Sequence, residues 1–223
     1  MAGLNQEQTE QIRLMSEWVK EKLSAEGTAH DWLHTERVRN VSLQIAKEEG
    51  ADLFMTEACA LLHDVIDEKL SDEHRVPLQE LKRRLSEEWK VDPETVDGIF
   101  AIITRISFRD REKYKDELLS KEGMAVQDAD RLDAIGAVGI ARALMYAGAK
   151  GHLLYGGGNA PTAVGHFYEK LLLLKDLMNT KTGRMLAEKR HKLMLEFLGE
   201  LENECAFSRE SRLDRSGLGV MVE

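Results

Sequence analysis

The segment Leu61-Leu62-His63-Asp64-Val65-Ile66-Asp67 sets a histidine and an aspartate side by side among large apolar residues, with a second aspartate shortly after. Burying such a cluster without a partner charge is costly. A bound metal cation supplies that charge. In a helix His63 and Asp64 stand about 100° apart around the axis and can face one ion, while Asp67 returns one turn later to the side of His63. Two distant residues can join them. His34 falls on the stripe His34, Val38, Val41, Ile45, the helix face that meets a core, where a satisfied structural histidine would also sit. Asp130 shares a face with Ala134, Ala137 and Ala141. Asp128 and Asp133 compete with it for a ligand role; Asp130 is preferred because Asp133 then remains within reach as an acid behind the ligands.

Two imidazoles and two carboxylates suit one divalent transition ion better than an all-oxygen site of the Ca²⁺ type. Mn²⁺ is favoured, with Co²⁺, Ni²⁺, Fe²⁺, Mg²⁺ or Zn²⁺ as alternatives. His34, His63, Asp64 and Asp130 as ligands would leave an ion that prefers six partners open to water and substrate oxygens. Such an ion can lower the pKa of bound water and neutralise a phosphate oxygen. Asp67 is the candidate to orient or deprotonate the attacking water or to protonate a leaving group, the alternative being a surface acid at a helix end. Lys69 and Arg131 can meet phosphate oxygens, or serve as solvated charges or structural ion pairs. The run Gly156-Gly157-Gly158 lacks the strand and the Gly-Lys-Ser/Thr ending of a phosphate loop. It reads better as part of a mobile lip with His152 and Tyr155. Trp32 and His30 could contact a base, although a core Trp is the plainer role.

The elements that must carry these residues read as helices throughout. Gln6 to Ala25 is amphipathic and ends near Gly27; Asp31 caps a second helix to Glu49, with Gly50 beyond its end. Thr56 can cap a third helix running through His63 and Ile66 to about Leu70. Pro77 suits the first position of a helix ending near Trp89, and Asp92-Pro93 repeats the start signal for one carrying Val96, Ile99, Phe100 and Ile103. Ser107 to Lys121 is a charged loop. From Ala125 a single helix of small residues draws Asp130 into a crowded interior. After the glycine-rich Gly148 to Thr162 come a helix with Phe167, Leu171, Leu174 and Met178 on one face and a last helix, Thr182 to Glu202. The tail after Ser208 is polar enough to fray. With no alternating strand pattern, the fold class is all-α.

Bulk properties narrow the partners. The chain has 223 residues, 43% of them apolar, enough for one sizeable core, and no Pro-rich or Gly/Ser-rich linker or internal repeat divides it. A single domain over residues 1–223 is expected, with its core at about 28–200. Forty acidic against 31 basic residues give a net charge of −9, which disfavours nucleic-acid polymers and anionic membranes while leaving small anionic substrates open through a local cation. The start of the chain has no signal-type pattern, and no apolar run reaches bilayer length. Cys59 and Cys205 offer neither a disulfide framework nor a zinc site, so a cytoplasmic location fits. A homo-oligomer is compatible with all of this.

The order of these residues, a His, then His-Asp, then a distant Asp on successive helices, resembles the HD-domain metal-dependent phosphohydrolase superfamily. The surrounding blocks strengthen the likeness: His30 to Val38, Ala60 to Asp67 and Gln127 to Ala137 are similar to the bacterial nucleotide pyrophosphohydrolases and predicted phosphohydrolases of that superfamily. So are His166 to Leu171, Met178 to Gly183 and Arg190-His191, so the resemblance covers roughly residues 28–200. It implies a compact helical HD-domain bundle. It places His34, His63, Asp64 and Asp130 at the metal-ligand positions and Asp67 where relatives carry a water-activating acid. The Gly-Tyr-Pro signature of the cyclic-dinucleotide phosphodiesterases is absent. The implied reaction is hydrolysis of a nucleoside triphosphate to monophosphate and pyrophosphate by a metal-activated water. A nucleoside 5′-monophosphate phosphatase and a non-catalytic nucleotide-sensing module are the alternatives.

Overall fold

Local capping chemistry sets most helix ends in the computed structural model, which describes residues 3–24, 31–67, 75–106, 118–156 and 160–205. Helix α1 (Gln6–Leu23) opens with a capping box: Asn5 Oδ1 accepts from the Gln8 N–H at 2.8 Å, and Gln8 Oε1 accepts from the Asn5 N–H at 3.1 Å. Helix α2 (Trp32–Glu49) starts where Asp31 accepts from the His34 N–H at 2.7 Å. It stops at Gly50, whose φ of +67° is the left-handed conformation that lets its N–H return to the Ala46 carbonyl. Helix α3 (Leu53–Leu62) begins a turn earlier than expected. Asp52, not Thr56, is its cap: an ionised carboxylate accepts the Met55 N–H at 2.7 Å, and the Thr56 hydroxyl donates to the Asp52 carbonyl inside the first turn.

The same helix also ends sooner than its pattern suggests. His63 is its C-cap and keeps helical dihedrals, but beyond it the chain turns, with the Asp67 N–H donating to the Asp64 carbonyl at 2.9 Å and the Val76 N–H to the Val65 carbonyl at 2.8 Å. Asp67 is therefore not one helical turn beyond His63. Leu70, like Gly27, His30, Lys69, Gly157, Gly158, most of the Ser107 to Lys121 loop and the tail, lies outside the described residues.

Pro77 caps α4 (Leu78–Arg83) instead of filling its first position, and a wider π turn, Arg84–Glu88, leads to Trp89. Helix α5 (Pro93–Ile103) has Asp92 as cap and Pro93 first, as read from the sequence. The expected single helix from Ala125 is two: α6 (Lys121–Asp133) and α7 (Gly136–Ala149). Ile135 is extended and Gly136 takes φ +77°, with Arg190 where a Cβ would go, so the backbone cannot continue as one helix. Ala137 and Ala141 are consequently exposed, and the Asp130 side chain is 33% exposed and not crowded in. Helix α8 (Ala163–Glu169) gives way to a 3₁₀ turn, Leu171–Leu177, before α9 (Lys181–Cys205). Phe167, Leu171, Leu174 and Met178 are all buried, though not on one helix. Among the described residues there is no strand, only an isolated bridge between Leu153 and Thr162, and the fold is all-α. No single helix among them is long and apolar enough to cross a membrane.

Two units emerge. The first, Met1–Asp133 with Met178–Gly183, packs α2 against α3 and α6, and α3 against α1 and α5. Met15, Val19, Leu23, Val38, Ile45, Leu61, Leu62, Ile99 and Leu132 fill its core. Buried Asp128 holds the 178–183 segment in this unit. Its carboxylate accepts from the Asn179 and Thr180 N–H groups at 2.8 Å each, from Asn179 Nδ2 at 2.9 Å and from the Thr180 hydroxyl at 2.7 Å. Thr180 in turn caps α9 through the Gly183 N–H at 2.8 Å. A Cβ on Gly183 would overlap that carboxylate, which four hydrogen bonds prevent from moving aside. Gly183→Ala is expected to cost about 2 kcal/mol, as overpacking does. For a chain of this size that lowers Tm by roughly 4–8 °C in scanning calorimetry. An unchanged Tm would show that the clamp yields. The second unit, Ala134–Leu177 with Arg184–Glu223, packs α8 against α7 and the 3₁₀ turn, with Phe167 and Phe197 rings 6.0 Å apart.

Candidate metal centre

Three helices of the first unit deliver the site. Helix α2 carries His34 in its first turn, α3 is capped by His63 with Asp64 next, and α6 brings Asp130 in its last turn. The sequence sets His34 and Asp130 far from the His63-Asp64 pair; the packing of α2 on α3 and α6 brings them together. His34 Nε2 lies 3.3 Å from His63 Nε2, 3.1 Å from Asp64 Oδ2 and 3.6 Å from Asp130 Oδ1. His63 Nε2 is 3.4 Å from Asp64 Oδ2. One donor atom each from His34, His63 and Asp130 falls within 4.8 Å of the others. Both histidines and Asp64 are buried.

The far nitrogens of the two rings decide what this cluster can hold. His34 Nδ1 is 2.7 Å from the Asp133 carboxylate, and His63 Nδ1 is 2.8 Å from the Ala60 carbonyl. Both partners accept only, so Nδ1 is the nitrogen that keeps its proton in a neutral ring, and each Nε2 faces the cluster, where it can offer a lone pair to a cation. Two ring nitrogens and two carboxylates thus converge, all buried but for the part-exposed Asp130, a donor set for a cation and a poor one for itself. Without a cation, His34 draws a proton instead. Burial works against charge on its ring, but the hydrogen bonds it donates to Asp133 and Asp64 and the charges of Asp64 and Asp130 outweigh it and hold the pKa up at about 10. A divalent cation can take the place of the proton so favoured.

Asp67 is half-buried beyond the turn that starts at Asp64, and Arg131 is buried on α6 next to Asp130. Lys69 lies outside the described residues. Trp32 is half-buried with the Lys20 ammonium 6.0 Å from its ring centre. His152 and Tyr155 belong to the second unit, where His152 stands edge-on to Tyr146. Asp128, one of the rivals for the ligand role, is spent on the α9 clamp. One residue escaped sequence reasoning altogether: Arg37, which grips Asp133 through Nε at 2.7 Å and Nη2 at 3.0 Å. Its signal was present, since His34 and Arg37 are a turn apart on α2, as are Asp130 and Asp133 on α6.

The family model for the HD domain matches residues 32–135, which contain His34, His63, Asp64 and Asp130. The Bacillus subtilis protein YpgQ is 53% identical over 197 residues, 88% of this chain and 93% of that protein. The chain belongs to the HD superfamily. The crystal structure of YpgQ in complex with ADP superimposes with a TM-score of 0.78, covering 89% of this chain and 96% of that one at 45% identity over the matched residues. An HD-superfamily hydrolase from Bacillus thuringiensis matches with a TM-score of 0.75 at 38% identity, over 90% of this chain and all of that one. HD domains bind divalent metals, and the donor set of this HD protein fits one.

Proposed function

We propose that this HD protein hydrolyses nucleoside triphosphates to monophosphate and pyrophosphate, with His34, His63, Asp64 and Asp130 holding one divalent ion, Mn²⁺ in first place. The observation that carries the reading is the convergence of two inward Nε2 atoms and two carboxylates, each ring locked from behind. When bound, such an ion neutralises a phosphate oxygen and lowers the pKa of a coordinated water. The ADP in the YpgQ crystal structure supports a nucleotide as the ligand here too. In the proposed reaction water adds to the α-phosphorus, the bond from that phosphorus to the bridging oxygen breaks, and pyrophosphate leaves with the bond electrons. Asp67 takes the proton of the attacking water. Lys69 and Arg131 are the cations assigned to the phosphate oxygens.

Product analysis tests this directly. Protein stripped of metal and resupplied with Mn²⁺ or Co²⁺ is offered nucleoside mono-, di- and triphosphates. Equimolar monophosphate and pyrophosphate from triphosphates is the expected result, with no activity after chelation. Phosphate released from monophosphates instead would favour the 5′-nucleotidase reading. Nucleotide binding without turnover under every metal would leave a sensing module.

A further inference from the structure

The His34 ring is gripped from behind by Asp133, and Asp133 is gripped by Arg37. We infer that Arg37 is a positioning residue for the metal centre: its guanidinium fixes the Asp133 carboxylate, which fixes the His34 ring with Nε2 aimed into the cluster. This rests on the metal-centre reading above.

The geometry favours a relay over a surface ion pair. Arg37 makes a two-point contact, Nε to Oδ1 at 2.7 Å and Nη2 to Oδ2 at 3.0 Å, and Oδ2 also receives the His34 Nδ1–H at 2.7 Å. A planar two-point grip sets the plane of the carboxylate, which a single donor cannot do. The Asp133 side chain is 4% exposed, so the contact is not screened as exposed pairs are. Arg37 and His34 ride on the same face of α2, whereas Asp133 is the last residue of α6. The triad therefore ties α2 to α6 one turn from the point where Asp130 enters the cluster. Because two Arg37 donors are engaged by Asp133, a role in gripping substrate phosphate is the less favoured one. Half-exposed as it is, the Arg37 side chain can be replaced without opening a core cavity.

The test is calorimetric titration of Mn²⁺ into metal-stripped wild type, Arg37→Gln, Arg37→Lys, Asp133→Asn and His34→Ala, each checked for cooperative unfolding. Wild type should bind and His34→Ala should not. Arg37→Gln should weaken binding about 10- to 100-fold, the range for partners that orient a metal-ligating histidine. Lysine, a one-point donor, should restore only part. Arg37→Gln added to Asp133→Asn should cost nothing more, because both break one relay. In ¹⁵N-resolved NMR the His34 Nδ1–H signal should shift or broaden in Arg37→Gln, an effect a loss of surface charge would not produce. Wild-type Mn²⁺ affinity in Arg37→Gln with a raised KM for nucleotide would overturn the inference and make Arg37 a phosphate contact. Absence of Mn²⁺ binding in wild type would overturn the metal-centre reading itself, and the inference with it.

Discussion

Asp64→Asn should yield a folded protein whose melting temperature barely responds to Mn²⁺. Asp64 Oδ2 sits within 3.4 Å of both inward imidazole nitrogens, so it is the carboxylate most central to the cluster. The amide keeps the size of the side chain and one acceptor oxygen but removes the charge that a dication needs. Losing a ligand charge should weaken binding at least as much as losing an outer partner at its worst, about 100-fold. At a metal concentration 100 times the wild-type Kd, linkage stabilises the folded wild type by about 2.7 kcal/mol. In a chain of this length that raises Tm by roughly 5–10 °C. The variant, then only at its own Kd, gains about 0.4 kcal/mol, a degree or so. Nucleotide hydrolysis should fall with the metal. Equal Tm rises in the two proteins would mean that Asp64 is not a ligand, and the convergence of these side chains would need another explanation.

What the sequence could disclose of this site follows the range of the forces involved. Asp31, Gly50 and Asp92-Pro93 act on backbone groups within one turn, and the ends of α2 and the start of α5 were legible from them. Thr56 misled because Asp52, an equally local but charged acceptor, wins the competition for the same helix start. The break at Gly136 was hidden: small residues are compatible with a continuous helix, and the left-handed φ answers to what surrounds the glycine, including Arg190. The meeting of His34, His63, Asp64 and Asp130 was expected because polar groups among apolar neighbours must find one another or an ion, although Asp130 joins it from a part-exposed position and not from a crowded interior. The link from Arg37 to Asp133 was not, although both residues stand one turn from a proposed ligand. It depends on the register of α2 against α6, and no helical periodicity fixes the offset between two helices.

Asp67→Asn should separate an enzyme from a binding module. No helix carries Asp67 round beside His63, since α3 ends at Leu62. A turn takes its place: the Asp67 N–H bonds to the Asp64 carbonyl at 2.9 Å, so the backbones of proposed ligand and candidate base are tied together even though no helix joins them. A half-buried acid so placed can take a proton without being needed to hold an ion. The amide keeps the size of the side chain and removes that capacity. Mn²⁺ affinity should stay within about threefold of wild type, because the carboxylate is outside the ligand set. Turnover should drop by about 10²–10⁴-fold, the contribution of a positioned general base. Saturation kinetics should show the loss in kcat with KM little changed, since the interaction lost is made in the transition state. Wild-type turnover in Asp67→Asn would return Asp67 to the role of a surface acid at the end of a turn and leave the proton to another group. Unaltered nucleotide binding with no turnover in either protein would instead favour the sensing module, in which the same metal cluster serves only to hold α2, α3 and α6 together.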